Sequence, residues 1–119
     1  MIILDYKDAR PIYEQVVEKF KLLILKGVLT RDEQMPSVRS LAMELSINPN
    51  TIQKAYAELE RQGYIYAVKG KGNFISDSVN LLQEKKEELK GRLKELYREG
   101  MELGMTKTDF LECLGQLEG

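Results

Sequence analysis

A set of side chains near the middle of the chain carries the groups that hydrogen-bond to nucleic acid. Arginine can pair bidentately with guanine, and glutamine or asparagine with adenine, at roughly 1–3 kcal/mol of discrimination for each good pair. The hydroxyl and ammonium groups among them suit phosphate oxygens. Their types and spacing therefore predict contact with the base edges and the backbone of duplex DNA. The set consists of Ser37, Arg39, Asn48, Asn50, Thr51, Gln53 and Lys54.

Several of these side chains also have a purely structural explanation. Asn48 and Thr51 can cap a helix, and Arg39 can form a solvated ion pair with Glu44 or another acid. For an isolated residue that explanation is the stronger one. The elements that surround these residues favour DNA contact instead, most of all for Arg39 and then for Gln53, while Asn48 can serve both purposes.

Two short helices joined by a tight turn must hold these side chains. The first begins at Ser37, directly after Pro36, and an apolar stripe marks its buried face. Asn48 is a typical N-cap, and the second helix begins at Pro49 with polar side chains crowded into its first turn and a half. This pattern predicts a helix-turn-helix, which offers the start of its second helix to base pairs. The two stripes are Val38, Leu41, Ala42 and Leu45, then Ile52, Ala55, Tyr56 and Leu59.

The residues before this unit predict one further core helix. Pro11 suits the first turn of a helix, and the apolar stripe that follows it stops near Gly27. Residues 2–6 are compatible with a short strand or with an arm. Residues 30–34 form a polar connection without a regular period.

After Gly63 the apolar period changes from that of a helix to that of a strand. Residues 64–68 and 73–76 predict a β-hairpin with a turn at residues 69–72. A hairpin directly after a helix-turn-helix is the wing of a winged-helix fold, and glycine lets its backbone approach a phosphate closely. A merely soluble turn is the alternative. The basic tip carries Lys69, Gly70 and Lys71.

The C-terminal part predicts a long helix from residue 77 or 78 and a short terminal helix after a break near Gly104. Leucines spaced by seven give the long helix an incomplete coiled-coil-like seam, although Gly100 is expected to weaken it. Thr106 and Asp109 resemble a capping pair for the short helix. The seam can pack within one chain, but so small a domain offers little to cover it, and a homodimer is favoured. The predicted dimerisation residues are Leu82, Leu89, Leu93, Leu96, Leu103, Phe110 and Leu114.

Composition limits the class of protein. The 119 residues suffice for one domain and an appendage, which we place at residues 1–76 and 77–119, in a fold that is mainly α with a small β-hairpin (α+β). One cysteine, Cys113, and no histidine argue against a disulfide, a metal site and an enzyme, so no cofactor is expected. The start of the chain lacks a signal-peptide pattern, and no apolar run approaches a membrane span, which favours a cytoplasmic protein.

The charge distribution matters more than the net charge. A net charge of −1 argues against a protein that coats nucleic acid indiscriminately. Residues 35–72 contain five basic and three acidic side chains, which leaves +2, whereas acidic residues are concentrated in the tail. The basic excess thus coincides with the predicted DNA-binding elements.

The chain resembles the winged-helix DNA-binding domain of the GntR family of bacterial transcription regulators. Three motifs carry the resemblance over about residues 10–76: Met-Pro-Ser-Val-Arg-x-Leu-Ala, Asn-Pro-Asn-Thr-Ile-x-Lys-Ala-Tyr-x-Glu-Leu-Glu-x-x-Gly-Tyr-Ile and Gly-Lys-Gly-Asn-Phe-Ile. The short helical tail is similar to that of the YtrA subfamily, whose tails dimerise and whose genes commonly accompany ABC transporters.

This resemblance implies particular roles. Arg39 stands where the family's arginine enters the major groove, and Gly70 stands at the wing tip that meets the minor groove. Asn48, Asn50, Thr51 and Gln53 stand at the turn and the head of the recognition helix. The chain departs from the family pattern where Arg31-Asp32 replaces a common Pro-Gly, where Met35 replaces Leu and where Pro49 replaces a polar residue.

We therefore expect a sequence-specific regulator that binds double-stranded DNA. The simplest form is a dimeric repressor on an inverted-repeat operator, with its two recognition helices about 34 Å or a multiple apart, and with an ABC transporter operon as a candidate target. A winged helix that mediates protein contacts without DNA is the alternative. A small-molecule effector would have room only at the dimer interface or between tail and winged domain, and no motif identifies one.

Overall fold

A computed structural model describes residues 2–118, apart from the side chain of Ser78, so the outer limits predicted at residues 1 and 119 lie outside the described part. The chain divides into two compact units, Met1–Leu82 and Gln83–Gly119. The boundary between the two units lies inside the helix Ser78–Glu102, whose first turns include Leu81, and Leu81 packs against the core of the first unit. The division of roles at residues 76 and 77 stays a prediction.

The elements follow the predicted order. The first unit contains α1 (Ile12–Leu25), α2 (Val38–Leu45), α3 (Pro49–Arg61) and an antiparallel hairpin of β1 (Ile65–Val68) and β2 (Gly72–Ile75). The helix α4 (Ser78–Glu102) runs from it into the second unit, which also contains α5 (Lys107–Glu118). The predicted class, mainly helical with one small hairpin, is confirmed. Within residues 2–118, no helix combines the length and the apolar character needed to cross a membrane.

Both predicted helix starts are confirmed by their caps. The Ser37 hydroxyl accepts a hydrogen bond from the Ser40 amide at 3.0 Å, and the Asn48 side-chain oxygen accepts one from the Asn50 amide at 2.8 Å. Between the helices, Ser46 adopts a left-handed backbone with φ +55°. These local bonds fix the tight turn because they satisfy amides that have no partner within the helix.

The core of the first unit lies between α1, α2, α3 and the hairpin. Phe20 of α1 and Tyr56 of α3 meet edge to face with 6.0 Å between ring centroids, and both are fully buried. The Tyr56 hydroxyl donates to the Pro36 carbonyl at 2.7 Å, so this buried phenol is satisfied. The fully buried aliphatic side chains of the described residues are Val16, Ile24, Leu41, Ile52, Ala55, Leu59, Ile65 and Ile75.

The N-terminal residues form an arm, which decides between the two predicted alternatives. Ile2 is buried in the core. The side chain of Gln15 forms hydrogen bonds with both the amide and the carbonyl of Asp5. Its carbonyl oxygen accepts from the Asp5 amide at 2.9 Å, and its amide donates to the Asp5 carbonyl at 3.0 Å. Gln15 is only 2% exposed, which the polar residue type alone did not indicate.

The last turns of α3 contain a carboxylate whose titration is linked to stability. Hydrogen bonds from Arg61 and then Gln62 lower the pKa of the Glu58 carboxyl from 4.5 to about 2. A lowered pKa stabilises the fold above the unfolded pKa, and this stabilisation is lost as the pH falls from about 4.5 to about 2.

We therefore expect Glu58→Gln to reduce the loss of stability on acidification. Urea unfolding of the protein and the variant at pH 6 and pH 2.5 measures the difference, and Glu60→Gln on the same helix is the control because Glu60 makes no side-chain hydrogen bond within residues 2–118. If the unmodified protein and Glu58→Gln lost the same free energy of unfolding between pH 6 and pH 2.5, the link between the titration of Glu58 and stability would be contradicted.

In the second unit, α5 packs against the end of α4. Gly104, with φ +88°, ends the long helix, and Thr106 and Asp109 form the predicted reciprocal cap, with the Thr106 amide donating to the Asp109 carboxylate at 2.8 Å. The rings of Tyr97 and Phe110 lie 4.9 Å apart. The break and the cap are thereby confirmed.

Gly100 has a role that its helix propensity did not indicate. It is buried, and a Cβ atom built on it would lie 2.3 Å from Cζ of Phe110. The lack of a side chain at this position is therefore what lets the Phe110 ring approach α4, and the expectation that Gly100 merely weakens the helix was incomplete.

Candidate nucleic-acid interface

Arg39 lies in the first turn of α2 and is exposed. Within residues 2–118 its guanidinium forms no ion pair and no side-chain hydrogen bond, so the alternative pairing with Glu44 is not present. Its charge is left to solvent or to a ligand. A free guanidinium can donate two parallel hydrogen bonds to guanine or to a phosphate.

The head of α3 presents the predicted polar residues. Asn48, Asn50 and Gln53 are exposed, and Thr51 is half-buried. The side-chain carbonyl of Asn48 caps the helix, which confirms the capping role predicted for Asn48. Its predicted contact with DNA stays a prediction. Gln53 has no side-chain partner within the described residues, which leaves both its donor and its acceptor available.

Lys54 occupies a different environment. Its ammonium lies 3.9 Å from the centroid of the Tyr13 ring on α1, a distance typical of a cation–π contact. This contact connects α3 to α1 and holds one side of the ammonium. Ser37 is exposed, but its hydroxyl already caps α2.

The wing, which consists of β1, β2 and the turn at residues 69–71, carries the basic tip. Lys69, Gly70 and Lys71 are all exposed, and the Lys71 amide donates to the Val68 carbonyl at 3.0 Å. Gly70 has φ +77°, a conformation that glycine adopts without strain. The turn is one residue shorter than predicted because Gly72 already pairs with Val68 in the hairpin.

The polar connection before α2 pairs with the wing, which its irregular sequence did not predict. We call residues 30–35 the connector. Gln34 forms an antiparallel bridge with Phe74, and the Met35 amide donates to the Asn73 carbonyl at 2.8 Å. The Asp32 amide donates to the Ile75 carbonyl at 2.8 Å, and the Ile75 amide donates to the Glu33 carbonyl at 2.9 Å. The connector thus pairs with β2 through three backbone hydrogen bonds and one isolated bridge, outside the two-stranded sheet.

Asp32 explains how this chain replaces the family's common Pro-Gly. It adopts φ +65°, a backbone conformation that aspartate tolerates better than most residues other than glycine. Its carboxylate accepts a hydrogen bond from the Tyr66 hydroxyl of β1 at 2.7 Å, which raises the pKa of Tyr66. The Tyr66 ring in turn stacks on Phe74 with 5.7 Å between centroids.

The second unit presents an apolar groove of about 830 Å³ between the end of α4 and α5. Of the seven predicted dimerisation residues, five line this groove, and Leu82 and Leu89 do not. Leu82 is half-buried and belongs to the first unit, whereas Leu89 is 48% exposed. The five that the structure brings together are Leu93, Leu96, Leu103, Phe110 and Leu114.

Comparison with known proteins agrees with this geometry. Residues 12–75 match the sequence model of the family described as bacterial regulatory proteins, gntR family. The chain is 43% identical over 98 residues to the HTH-type transcriptional repressor YtrA of Bacillus subtilis (strain 168), which covers 81% of this chain and 75% of that protein.

Two solved structures extend the likeness. A transcriptional regulator from Oenococcus oeni superposes with a TM-score of 0.76 at 32% identity and covers 100% of this chain and 98% of its own. The structure of AraR(DBD) in complex with operator ORE1 superposes with a TM-score of 0.55 at 30% identity, over 64% of this chain and 93% of that chain.

Proposed function

Because this chain belongs to the GntR family of DNA-binding transcription regulators, we propose that it is a dimeric repressor that binds an inverted-repeat operator. Arg39 enters the major groove and contacts bases or the adjacent phosphates. Asn50 and Gln53 contact base edges from the head of α3, and Thr51 contacts phosphate. The place of Arg39 in the major groove is what the resemblance to the family implies, and the other assignments follow from the hydrogen-bonding groups that each side chain offers.

The observation that carries this proposal is the exposed, unpaired state of Arg39 and Gln53. Both side chains stand at the start of a helix, and neither has a side-chain partner within residues 2–118. Lys69 and Lys71 of the wing supply two further exposed charges for phosphates. AraR(DBD), a structural neighbour, has been solved on operator DNA, which supports DNA as the ligand of this surface.

The dimer is proposed from the tail. The groove in the second unit is lined by large apolar side chains, and Leu96 and Leu103 are 59% and 79% exposed. Contiguous apolar surface of this kind is typical of an interface. A two-fold dimer joins two half-sites, so that two modest contacts combine into stable binding despite the net charge of −1.

The target genes are proposed from the relatives. The similarity to the repressor YtrA supports repression, in which the bound dimer occupies a promoter. The resemblance to the YtrA subfamily makes an ABC transporter operon the first candidate target.

Selection of genomic fragments by the purified full-length protein tests this proposal. We expect enrichment of an inverted repeat whose half-site centres lie about 10 base pairs or a multiple apart, because two recognition helices on one face of the duplex are separated by whole helical turns. Scrambling one half-site is expected to remove most of the binding. Light scattering on the same sample is expected to report a dimer, free and bound.

Two outcomes would contradict the proposal. Binding of a monomer to a single half-site would exclude the dimeric mechanism. No enrichment of any DNA, at low as well as physiological salt, would favour the alternative in which the winged domain contacts another protein.

A further inference from the structure

Gln34, in the connector, makes a contact that the proposed DNA-binding residues do not explain. Its side-chain amide donates to the carbonyl of Lys71 at 2.9 Å, across 37 positions of sequence. Lys71 is the last residue of the wing turn, so this hydrogen bond fixes the end of the basic tip to a segment outside the hairpin. Gln34 is the side chain that bridges the connector and the tip.

The approach of Gln34 to the tip depends on a glycine. Gly72 has φ +118°, and a Cβ atom built on it would lie 3.2 Å from the Gln34 side-chain nitrogen. A side chain at residue 72 would therefore crowd the amide. The strained backbone and the close contact both match glycine at this position.

The other end of the connector is held to the recognition elements. Pro36 follows it directly, and the Pro36 carbonyl accepts the hydrogen bond from Tyr56 of α3. Ser37, the next residue, caps the helix that carries Arg39. Residues 34–37 are thus bonded to the wing tip through the Gln34 side chain and to the two helices of the helix-turn-helix through the Pro36 carbonyl and the Ser37 hydroxyl.

We propose that Gln34 is a positioning residue that sets the wing lysines at a defined distance and angle from the recognition helix. It contacts no DNA itself. Backbone bonds already join the connector to β2, and the Gln34 hydrogen bond extends this connection to the turn beyond the paired strands. Lys69 and Lys71 then reach phosphates with a smaller loss of conformational freedom on binding. This proposal rests on the proposed function of the wing in DNA binding.

A double-mutant cycle tests it. Gln34→Met keeps the length of the side chain and removes the donor without changing charge. We expect it to weaken binding to the inverted-repeat duplex enriched in the genomic selection by about 3- to 10-fold, and to lower the slope of log Kd against log salt towards that of Lys69→Ala/Lys71→Ala. In the Lys69→Ala/Lys71→Ala background the same change is expected to have almost no effect, because the wing then has no charges to position.

A measurement without DNA separates this inference from the proposed function. Amide hydrogen exchange at Lys71, whose N–H bonds Val68 in the turn, is expected to be faster in Gln34→Met and in Gln34→Ala than in the unmodified protein. If neither the unmodified protein nor any variant binds DNA, the proposed function is rejected. Faster exchange at Lys71 in the Gln34 variants would still support the hydrogen bond between Gln34 and the wing turn. The positioning role would be overturned if Gln34→Met weakened DNA binding equally with and without the wing lysines, or did not weaken it at all. Unchanged hydrogen exchange at Lys71 would overturn it as well.

Discussion

Arg39→Ala is expected to weaken operator binding by roughly 30-fold to 20,000-fold, because each of two half-sites loses a contact worth about 1–3 kcal/mol. The structure supports a large effect since the guanidinium is exposed and has no partner within residues 2–118. For the same reason the free energy of unfolding is expected to change little. Titration of a fluorescent operator duplex, with a scrambled duplex beside it, measures both the affinity and the specificity.

Arg61→Ala is the matched control for this substitution. It removes the same charge from the same domain, but Arg61 is the last residue of α3 and is hydrogen-bonded to Glu58, far along the helix from the head that carries Gln53. We expect less than about a 3-fold change in affinity from it. Equal losses from the two variants would show that Arg39 acts through general charge alone, and an unchanged affinity of Arg39→Ala would reject the role of α2 in the major groove.

Gly100→Ala is expected to destabilise the second unit, although alanine is normally the better helix former. The new methyl group would lie 2.3 Å from Cζ of Phe110. Overpacking of this kind typically costs about 1–3 kcal/mol, whereas the gain in helix propensity is at most about 1 kcal/mol. Phe110 and Leu103 line the groove proposed for dimerisation, so displacement of the ring is also expected to weaken the dimer. Calorimetry and sedimentation at several concentrations measure the two effects.

Gly91→Ala is the control, because it makes the same change on the same helix. A Cβ atom at Gly91 would meet nothing within 4 Å, so this variant is expected to be more stable by up to about 1 kcal/mol. The distinctive result is that the two alanine substitutions change the free energy of unfolding in opposite directions. Combining Gly100→Ala with Phe110→Leu, which shortens the opposing side chain, is expected to recover part of the stability. Stabilisation by Gly100→Ala alone would contradict the packing described here.

The local elements of the fold were predictable because their causes lie within a few residues. Asn48 and Pro49 start α3 through a cap and a preset backbone angle, and the alternating pattern after Gly63 indicates strands. The reciprocal cap of Thr106 and Asp109 is equally local. Each of these signals acts before any tertiary contact forms.

The connector was not predictable for the opposite reason. Residues 30–34 have no regular period, and their pairing with β2 satisfies backbone groups that any sequence carries. The bond from Gln34 to the Lys71 carbonyl joins residues far apart in the chain. No spacing rule predicts such a contact, because its partner is a backbone atom that only the folded chain brings near.

The amino-acid sequence by itself determined the helix-turn-helix, the wing, the family and the identity of the polar side chains offered to DNA, because periodicity, caps and turn residues act over short distances. Only the tertiary structure decided that Arg39 has no partner among the described residues, that Lys54 lies on Tyr13, that Gln15 anchors the arm and that Gly100 makes room for Phe110. These facts depend on which surfaces meet when the core closes. Side-chain partners are chosen at that step, when burial removes water as the competing partner.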